Sequence, residues 1–241
     1  MGGRSAIGGC KPGPVALYPF PVTPQREACP VFDAVFFDLD GTLVDSERLT
    51  VQTGAAAFAA QGHTDVEDLL HSLVGVDQIS SAALILQRFP GLDLEQLHES
   101  WQSAFLAAQA VDLLLKPGAS DIVHGLRDRH ALALVTSSRR EPAEARLLQA
   151  GLRPAFHAVI TRDDVTAPKP HPEPYLLAAT RLGVDPARCL VFEDSEPGAE
   201  AAFSAGMTVV QVPDIIPASG RFAHHVAASL TDGARWAGIW T

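Results

Sequence analysis

The stretch Val35–Glu47, "VFFDLDGTLVDSE", sets Asp38, Asp40 and Asp45 behind an apolar run. From Ala34 to Asp38 the run is short, apolar and ends at a turn, which predicts a strand buried on both faces. Asp38 and Asp40 stand two positions apart at its end, with Gly41 directly behind. Like charges repel, so two carboxylates at the end of a buried strand call for a compensating cation. Mg²⁺ answers that need: it prefers octahedral oxygen ligands and is held by one or two carboxylates together with water and phosphate.

Working outward, the runs at 131–136 ("ALALVT"), 157–161 ("HAVIT"), 189–194 ("CLVFED") and 207–212 ("MTVVQV") repeat the same character. Helical patterns lie between them, closing at Gly151, which reads as a C′ glycine, and at Gly183 and Gly206. Alternating strand and helix predict an α/β fold: a Rossmann-like parallel sheet with helices on both faces. Residues 46–115 break the rhythm and contain no strand pattern. "SERLTVQTGAAAFAAQG" reads as a helix closed by Gly62, and Ile79, Ala83, Leu86 and Phe89 recur at helical spacing. Asp93 with Gln96 resembles a capping box, and Leu94, Leu97, Trp101, Phe105 and Ala108 follow at steps of three and four. The expected organisation is a core of 31–45 and 116–241, interrupted by an all-helical cap at 46–115. Residues 1–30, rich in Pro and Gly, read as a disordered tail.

Ligands in open parallel sheets sit beyond the carboxyl ends of the strands. There the sequence places Asp38, Thr136 and Glu193-Asp194, with Lys169 in the loop after the third strand. Asp38, Asp194 and a backbone carbonyl at Asp40 form a ligand set for Mg²⁺. A carboxylate can also attack phosphorus, which suits Asp38, and Asp40 can protonate the leaving oxygen and then deprotonate water. Thr136 can hydrogen-bond a phosphoryl oxygen while Lys169 neutralises its charge.

Composition narrows the partners. A formal charge of −10 argues against nucleic acid and anionic membrane surfaces. Cys10, Cys29 and Cys189 show no metal spacing, and with no apolar stretch of membrane length and no secretion signal a cytoplasmic protein is expected. The expected partner is a small-molecule phosphate ester. A monomer is the expected state, with a dimer left open.

The motifs "DLDGTLVD", "VTSS", "KPHPEPY" and "VFEDS", in this order and each at a strand end, resemble the haloacid dehalogenase-like hydrolase superfamily. The resemblance is to its phosphatase and β-phosphoglucomutase-like branch, which has a helical cap near the N-terminus. It covers residues from about 34 to 212. It implies Asp38 as nucleophile, Asp40 as acid/base, and Thr136, Ser137 and Lys169 as phosphate binders. It implies Mg²⁺ on Asp38, the Asp40 carbonyl and Asp194, with Glu193 and Ser195 supporting the metal. Glu47, Arg48, Asp77 and Gln78, on the cap's inward face, are expected to choose the leaving group. Asp40 sets the chain apart from true dehalogenases, which lack an acid there. Thr50 stands where the mutases carry a His, and Gln78 where they carry an Arg; both favour hydrolysis. A hexose-phosphate mutase and a catalytically silent binding protein are the alternatives.

Several residues have plainer readings. Asp45 is expected to cap the first cap helix. His171 reads as a loop residue, Arg139 as a solvated helix start, Cys189 as packing, and Trp236 and Trp240 as covers for the core's edge.

Overall fold

A computed structural model describes residues 32–73, 78–111 and 113–241. The expected tail, 1–30, lies outside the described residues. The strands are β1 (Ala34–Phe37), β2 (Ala131–Val135), β3 (Ala158–Ile160), β4 (Cys189–Glu193), β5 (Thr208–Gln211) and β6 (His225–Val226), and every pairing is parallel. They form one sheet in the order β3-β2-β1-β4-β5-β6.

Each face of the sheet is buried by helices, which is why the strands read as unbroken apolar runs rather than alternating ones. Val35 and Phe37 point to one face, where they meet Ile122, Leu126 and Leu147. Those residues belong to α5 (Ala119–Leu126) and α6 (Arg140–Gln149). Ala34 and Phe36 point to the other face, packed with Tyr175, Ala178, Ala199 and Ala202. These come from α7 (Glu173–Leu182) and α8 (Glu196–Ser204). The last helix, α9 (Leu230–Trp236), covers the first face with Leu230 and Ala234.

Between β1 and α5 lie four helices: α1 (Ser46–Ala60), α2 (Glu67–Leu73), α3 (Gln78–Arg88) and α4 (Leu94–Val111). They share a small core of their own, which includes Phe58, Leu70, Ile85 and Leu97. The two chain connections to the sheet run side by side: Val44 bridges Leu115, Asp45 N–H donates to Leu114 O, and Lys116 N–H donates to Leu43 O.

Three local expectations need correction. On α3 the buried position is Ile85, while Ile79 is 84% exposed and Leu86 40% exposed. Both stripes have helical period, but the packed face is turned by about a quarter of a circle from the one the apolar residues suggest. Asp45 occupies the N-cap position of α1 without a side-chain cap bond. Its ψ of 61° is outside the extended geometry that aims a cap side chain at the helix N–H groups. Asp93 does cap α4, accepting from Gln96 N–H at 3.0 Å. The reciprocal half is made by another residue: Gln61 Oε1 accepts the Asp93 N–H at 3.1 Å, and Gln61 Nε2 donates to Asp93 O at 2.9 Å. Among the described residues no helix is long and apolar enough to cross a membrane.

Candidate active site

Register brings the strand ends level. Phe37 pairs with both Leu134 and Phe192, so Asp38 emerges beside Val135 and Glu193. Asp38 N–H donates to Phe192 O at 3.0 Å, and Thr136 N–H to Ile160 O at 2.9 Å. The strand order reverses at β1, with β2 and β3 on one side and β4 and β5 on the other. That switch opens a crevice beyond the carboxyl ends of β1 and β4.

Lys169 lies at the floor of the crevice. Its Nζ donates to Asp38 Oδ1 at 2.6 Å, Val135 O at 2.9 Å and Glu193 Oε1 at 2.5 Å, which uses all three ammonium protons. The Lys169, Asp38 and Glu193 side chains are 5%, 9% and 0% exposed. Tyr175 OH also donates to Glu193 Oε1, at 2.6 Å, and Ser195 Oγ to Glu193 Oε2, at 3.2 Å. Gly198, in the first turn of α8, lets the helix pass this carboxylate: a Cβ there would lie 2.0–2.1 Å from its atoms.

Burial sets the electrostatics. It pushes Asp38 up to about 7, against the pull of Lys169 and with the help of the Glu193 charge. Burial opposes the Lys169 charge too, but Asp38 and Glu193 outweigh it and hold the ammonium above the usual lysine range. Asp194 is raised by burial and then by Asp38 and Glu193.

Asp194 sits close behind Gly41, whose φ of +82° suits glycine. A Cβ on Gly41 would fall 2.3 Å from Asp194 Oδ2. Thr42 Oγ1 donates to Asp194 Oδ1 at 3.1 Å. Ligand atoms of Asp38, Glu193 and Asp194 all lie within 4.8 Å of one another. Three carboxylates around one ammonium leave negative charge for a cation to offset, so the donor set fits a divalent metal. Among the described residues, both Glu193 oxygens are taken by protein donors, whereas Asp38 and Asp194 each give only one oxygen to a protein donor. This division favours Asp38 and Asp194 as direct ligands and Glu193 as their support.

Asp40 is held apart from the buried triad. Ser138 Oγ donates to its Oδ2 at 2.7 Å, and Arg146 Nη1 to its Oδ1 at 2.5 Å. Thr136 is buried, and its Oγ1 accepts the Ser138 N–H at 3.0 Å. Ser137, between them, is exposed.

Of the four residues expected on the inward face of the insert, Glu47 reaches the site. Its Oε2 accepts Ile215 N–H at 3.1 Å, and burial raises its pKa. With Asp194, Ser195, Gln211 and Asp214 it lines a cavity of about 300 Å³. Arg48 is largely exposed, 3.8 Å from Asp45. Asp77 lies outside the described residues, and Gln78 opens α3 with its side chain outside them. A larger cavity, about 430 Å³, lies among Thr50, Leu70, Ile85, Leu97 and Trp101 inside the insert. None of the site carboxylates lines it, so size alone does not mark the chemistry here.

The plainer readings also have their places. His171 is exposed, and its Nδ1 accepts the Glu173 N–H. Arg139 is an exposed N-cap, Cys189 is buried, and Trp236 stacks on His225.

Sequence reasoning missed Thr42, Ser138 and Tyr175, although all three stand inside the quoted motifs. Arg146 carried no signal, because nothing in a helical pattern marks one arginine as reaching back to a strand end.

The family model of haloacid dehalogenase-like hydrolases matches residues 32–206. The chain is 33% identical to the phosphorylated carbohydrates phosphatase of Thermotoga maritima, over 73% of this chain and 82% of that one. It is 32% identical to the validoxylamine A 7'-phosphate phosphatase of Streptomyces hygroscopicus subsp. limoneus, over 75% of this chain and 85% of that one. Among solved structures, a HAD family hydrolase from Deinococcus radiodurans R1 with bound phosphate and sodium superposes with a TM-score of 0.77 at 30% identity. That match covers 88% of this chain and 99% of the other. With its motifs at the strand ends of a parallel sheet, the chain belongs to the haloacid dehalogenase-like hydrolase family.

Proposed function

We propose that the chain is a Mg²⁺-dependent phosphatase acting on a small phosphomonoester through an aspartyl-phosphate on Asp38. The observation that carries this reading is the buried Lys169–Asp38–Glu193 triad, with Asp194 beside it and Asp40 on the same crevice. Asp38, Asp194 and the Asp40 carbonyl would hold Mg²⁺, and its positive charge would offset that of the phosphoryl oxygens.

The remaining work falls to the side chains. Lys169 holds the Asp38 carboxylate through Oδ1 as it attacks phosphorus in line with the leaving oxygen. The bond from phosphorus to the ester oxygen breaks as the bond to Asp38 forms. Asp40 gives its proton to the departing oxygen, then takes one from the water that attacks the aspartyl-phosphate. Phosphate leaves and Asp38 is restored. Thr136 and Ser137 supply donors to the phosphoryl oxygens, and Lys169 adds charge.

The helical insert acts as a cap that excludes bulk water and meets the leaving group. Sugar phosphates and phosphoglycolate-like metabolites are the substrate classes of this reading. One phosphatase relative, the phosphorylated carbohydrates phosphatase, favours the carbohydrate side by its name. Thr50 offers no imidazole: its hydroxyl donates to Ser46 O at 2.9 Å, in keeping with hydrolysis rather than mutase chemistry.

The test is release of p-nitrophenol from its phosphate ester. Turnover that needs Mg²⁺ and disappears with a chelator is expected. Turnover indifferent to the chelator, or none with any of a panel of phosphorylated metabolites, contradicts the reading.

A further inference from the structure

We infer that Arg146 is a positioning residue: with Ser138 it clamps the carboxylate of Asp40 in the orientation needed for proton transfer. The inference rests on the reading of Asp40 as acid/base.

The clamp is a closed ring of polar contacts. Arg146 Nη1 donates to Asp40 Oδ1 at 2.5 Å and to Ser138 Oγ at 3.3 Å, and Ser138 Oγ donates to Asp40 Oδ2 at 2.7 Å. Both carboxylate oxygens are fixed, so rotation of the group is blocked. The two donors come from different elements: Ser138 from the loop after β2, and Arg146 from within α6. Thr136 anchors the loop by accepting the Ser138 N–H, so the clamp is tied to the end of β2.

A purely structural ion pair explains this poorly. Asp40 is 34% exposed, so solvent screens the pair and lessens what it adds to stability. Arg146 is only 11% exposed, and its Nε is buried with no hydrogen-bond partner among the described residues. Burying an unpaired donor costs stability. The guanidinium accepts that cost to reach a carboxylate at the crevice. Its rigid planar fork holds a direction that a flexible ammonium would not. Proton transfer needs the donor oxygen within hydrogen-bond reach of the leaving oxygen, and a misplacement of about 1 Å can cost ~10² in rate.

The experiment is a double-mutant cycle with Arg146→Met, which keeps the unbranched apolar stem and removes the guanidinium, and Asp40→Asn. Each variant is assayed with an alkyl phosphate such as glycerol phosphate and with p-nitrophenyl phosphate. Arg146→Met is expected to lower kcat for the alkyl phosphate by about tenfold or more. The loss is expected to be smaller for the aryl ester, whose leaving group departs without a proton, and KM should stay within about twofold. Arg146→Lys should recover part of the loss. Added to Asp40→Asn, Arg146→Met should cost nothing further.

A full additional loss in the Asp40→Asn background overturns the inference, as does a rise in KM at unchanged kcat. Should Arg146→Met fail to fold, Arg146→Lys replaces it in the same cycle. A crystal structure of the Arg146 variant gives a reading independent of activity: the Asp40 carboxylate should turn away from Ser138, and an unmoved carboxylate overturns the clamp. Wild-type turnover in Asp40→Asn alone would instead sink the acid/base assignment, and the crystallographic result would still decide whether Arg146 positions the group.

Discussion

The sheet and the helical insert spend their polar residues differently. At the sheet's carboxyl edge the charged groups are buried and interlocked: Lys169, Asp38 and Glu193 are each 9% exposed or less, and Tyr175 completes the set. In the insert the buried set is mainly apolar, and charged groups such as Arg48 face solvent. Several apolar side chains are exposed there too, including Leu106 at 53% and Val111 at 86%. A buried ionic lattice has one satisfactory arrangement, because removing any member leaves its neighbours charged and unpaired. A small apolar cluster tolerates repacking. Under the proposed function the phosphoryl chemistry, common to every substrate, falls to the sheet edge, and the choice of leaving group to the insert.

The largest expected effect tests the sheet edge. Asp38→Asn keeps the shape but removes the attacking charge and a metal ligand, so turnover should fall by at least ~10³ on every substrate. Steady-state assays across the panel check this; near-normal turnover breaks the assignment. Next is Lys169→Ala, which leaves Asp38 and Glu193 buried without their cation. A destabilisation of about 3–5 kcal/mol is expected from urea unfolding, with turnover reduced for all substrates alike. A loss confined to one substrate class would blur the line between core and insert.

A third test uses pH. Burial raises Asp38 from 3.8 to about 7, and it raises Asp194 as well. Between pH 4 and pH 7 the folded protein therefore holds protons that the unfolded chain has released. Stability contributed by these groups is present at low pH and is lost as pH rises through that window. Metal binding needs the carboxylates ionised, so stabilisation by Mg²⁺ should grow over the same interval. Thermal melts should show the Mg²⁺-induced rise in Tm larger at pH 8 than at pH 5, by roughly 2–4 °C for each kcal/mol of difference. An equal rise at both pH values would place the metal away from these carboxylates.

The smallest effect belongs to the insert. Arg48→Ala should change kcat/KM unevenly across the panel, by the equivalent of about 0.5–1.5 kcal/mol for substrates whose leaving group hydrogen-bonds to it. A generic aryl phosphate, which makes few contacts there, should be nearly unaffected. Uniform loss over all substrates would move Arg48 into the shared machinery.

The same contrast explains what was legible in the sequence. β1 to β5 could be placed within a residue or so, because strands buried on both faces are written as short apolar runs between turns. Asp38, Asp40, Lys169 and Asp194 were legible because each closes a strand or follows one, and register turns that position into proximity. The insert was legible only as helical. The face of α3 was misread, since Ile79 and Ile85 both fit a helical period and only packing against Phe58 and Leu97 selects Ile85. Two short elements, α2 and α9, were not resolved from the sequence; with 7 residues each, they carry too few turns for a pattern to stand out. The two-residue β6 owes its place to pairing with β5, which is a tertiary fact. Arg146 was invisible for the same reason: its role depends on α6 lying beside the loop after β1, and no local pattern encodes that.

Attack by the Asp38 carboxylate leaves a phosphoryl group on that residue, which can be detected directly. Enzyme mixed with substrate and Mg²⁺, quenched in acid within one turnover and digested, is analysed by peptide mass spectrometry. One phosphoryl group is expected on the peptide that contains Asp38, accumulating further in Asp40→Asn with p-nitrophenyl phosphate, whose leaving group departs without a proton while the attacking water has lost its base. Phosphate release in a single turnover with that peptide unmodified at every quench time would contradict it.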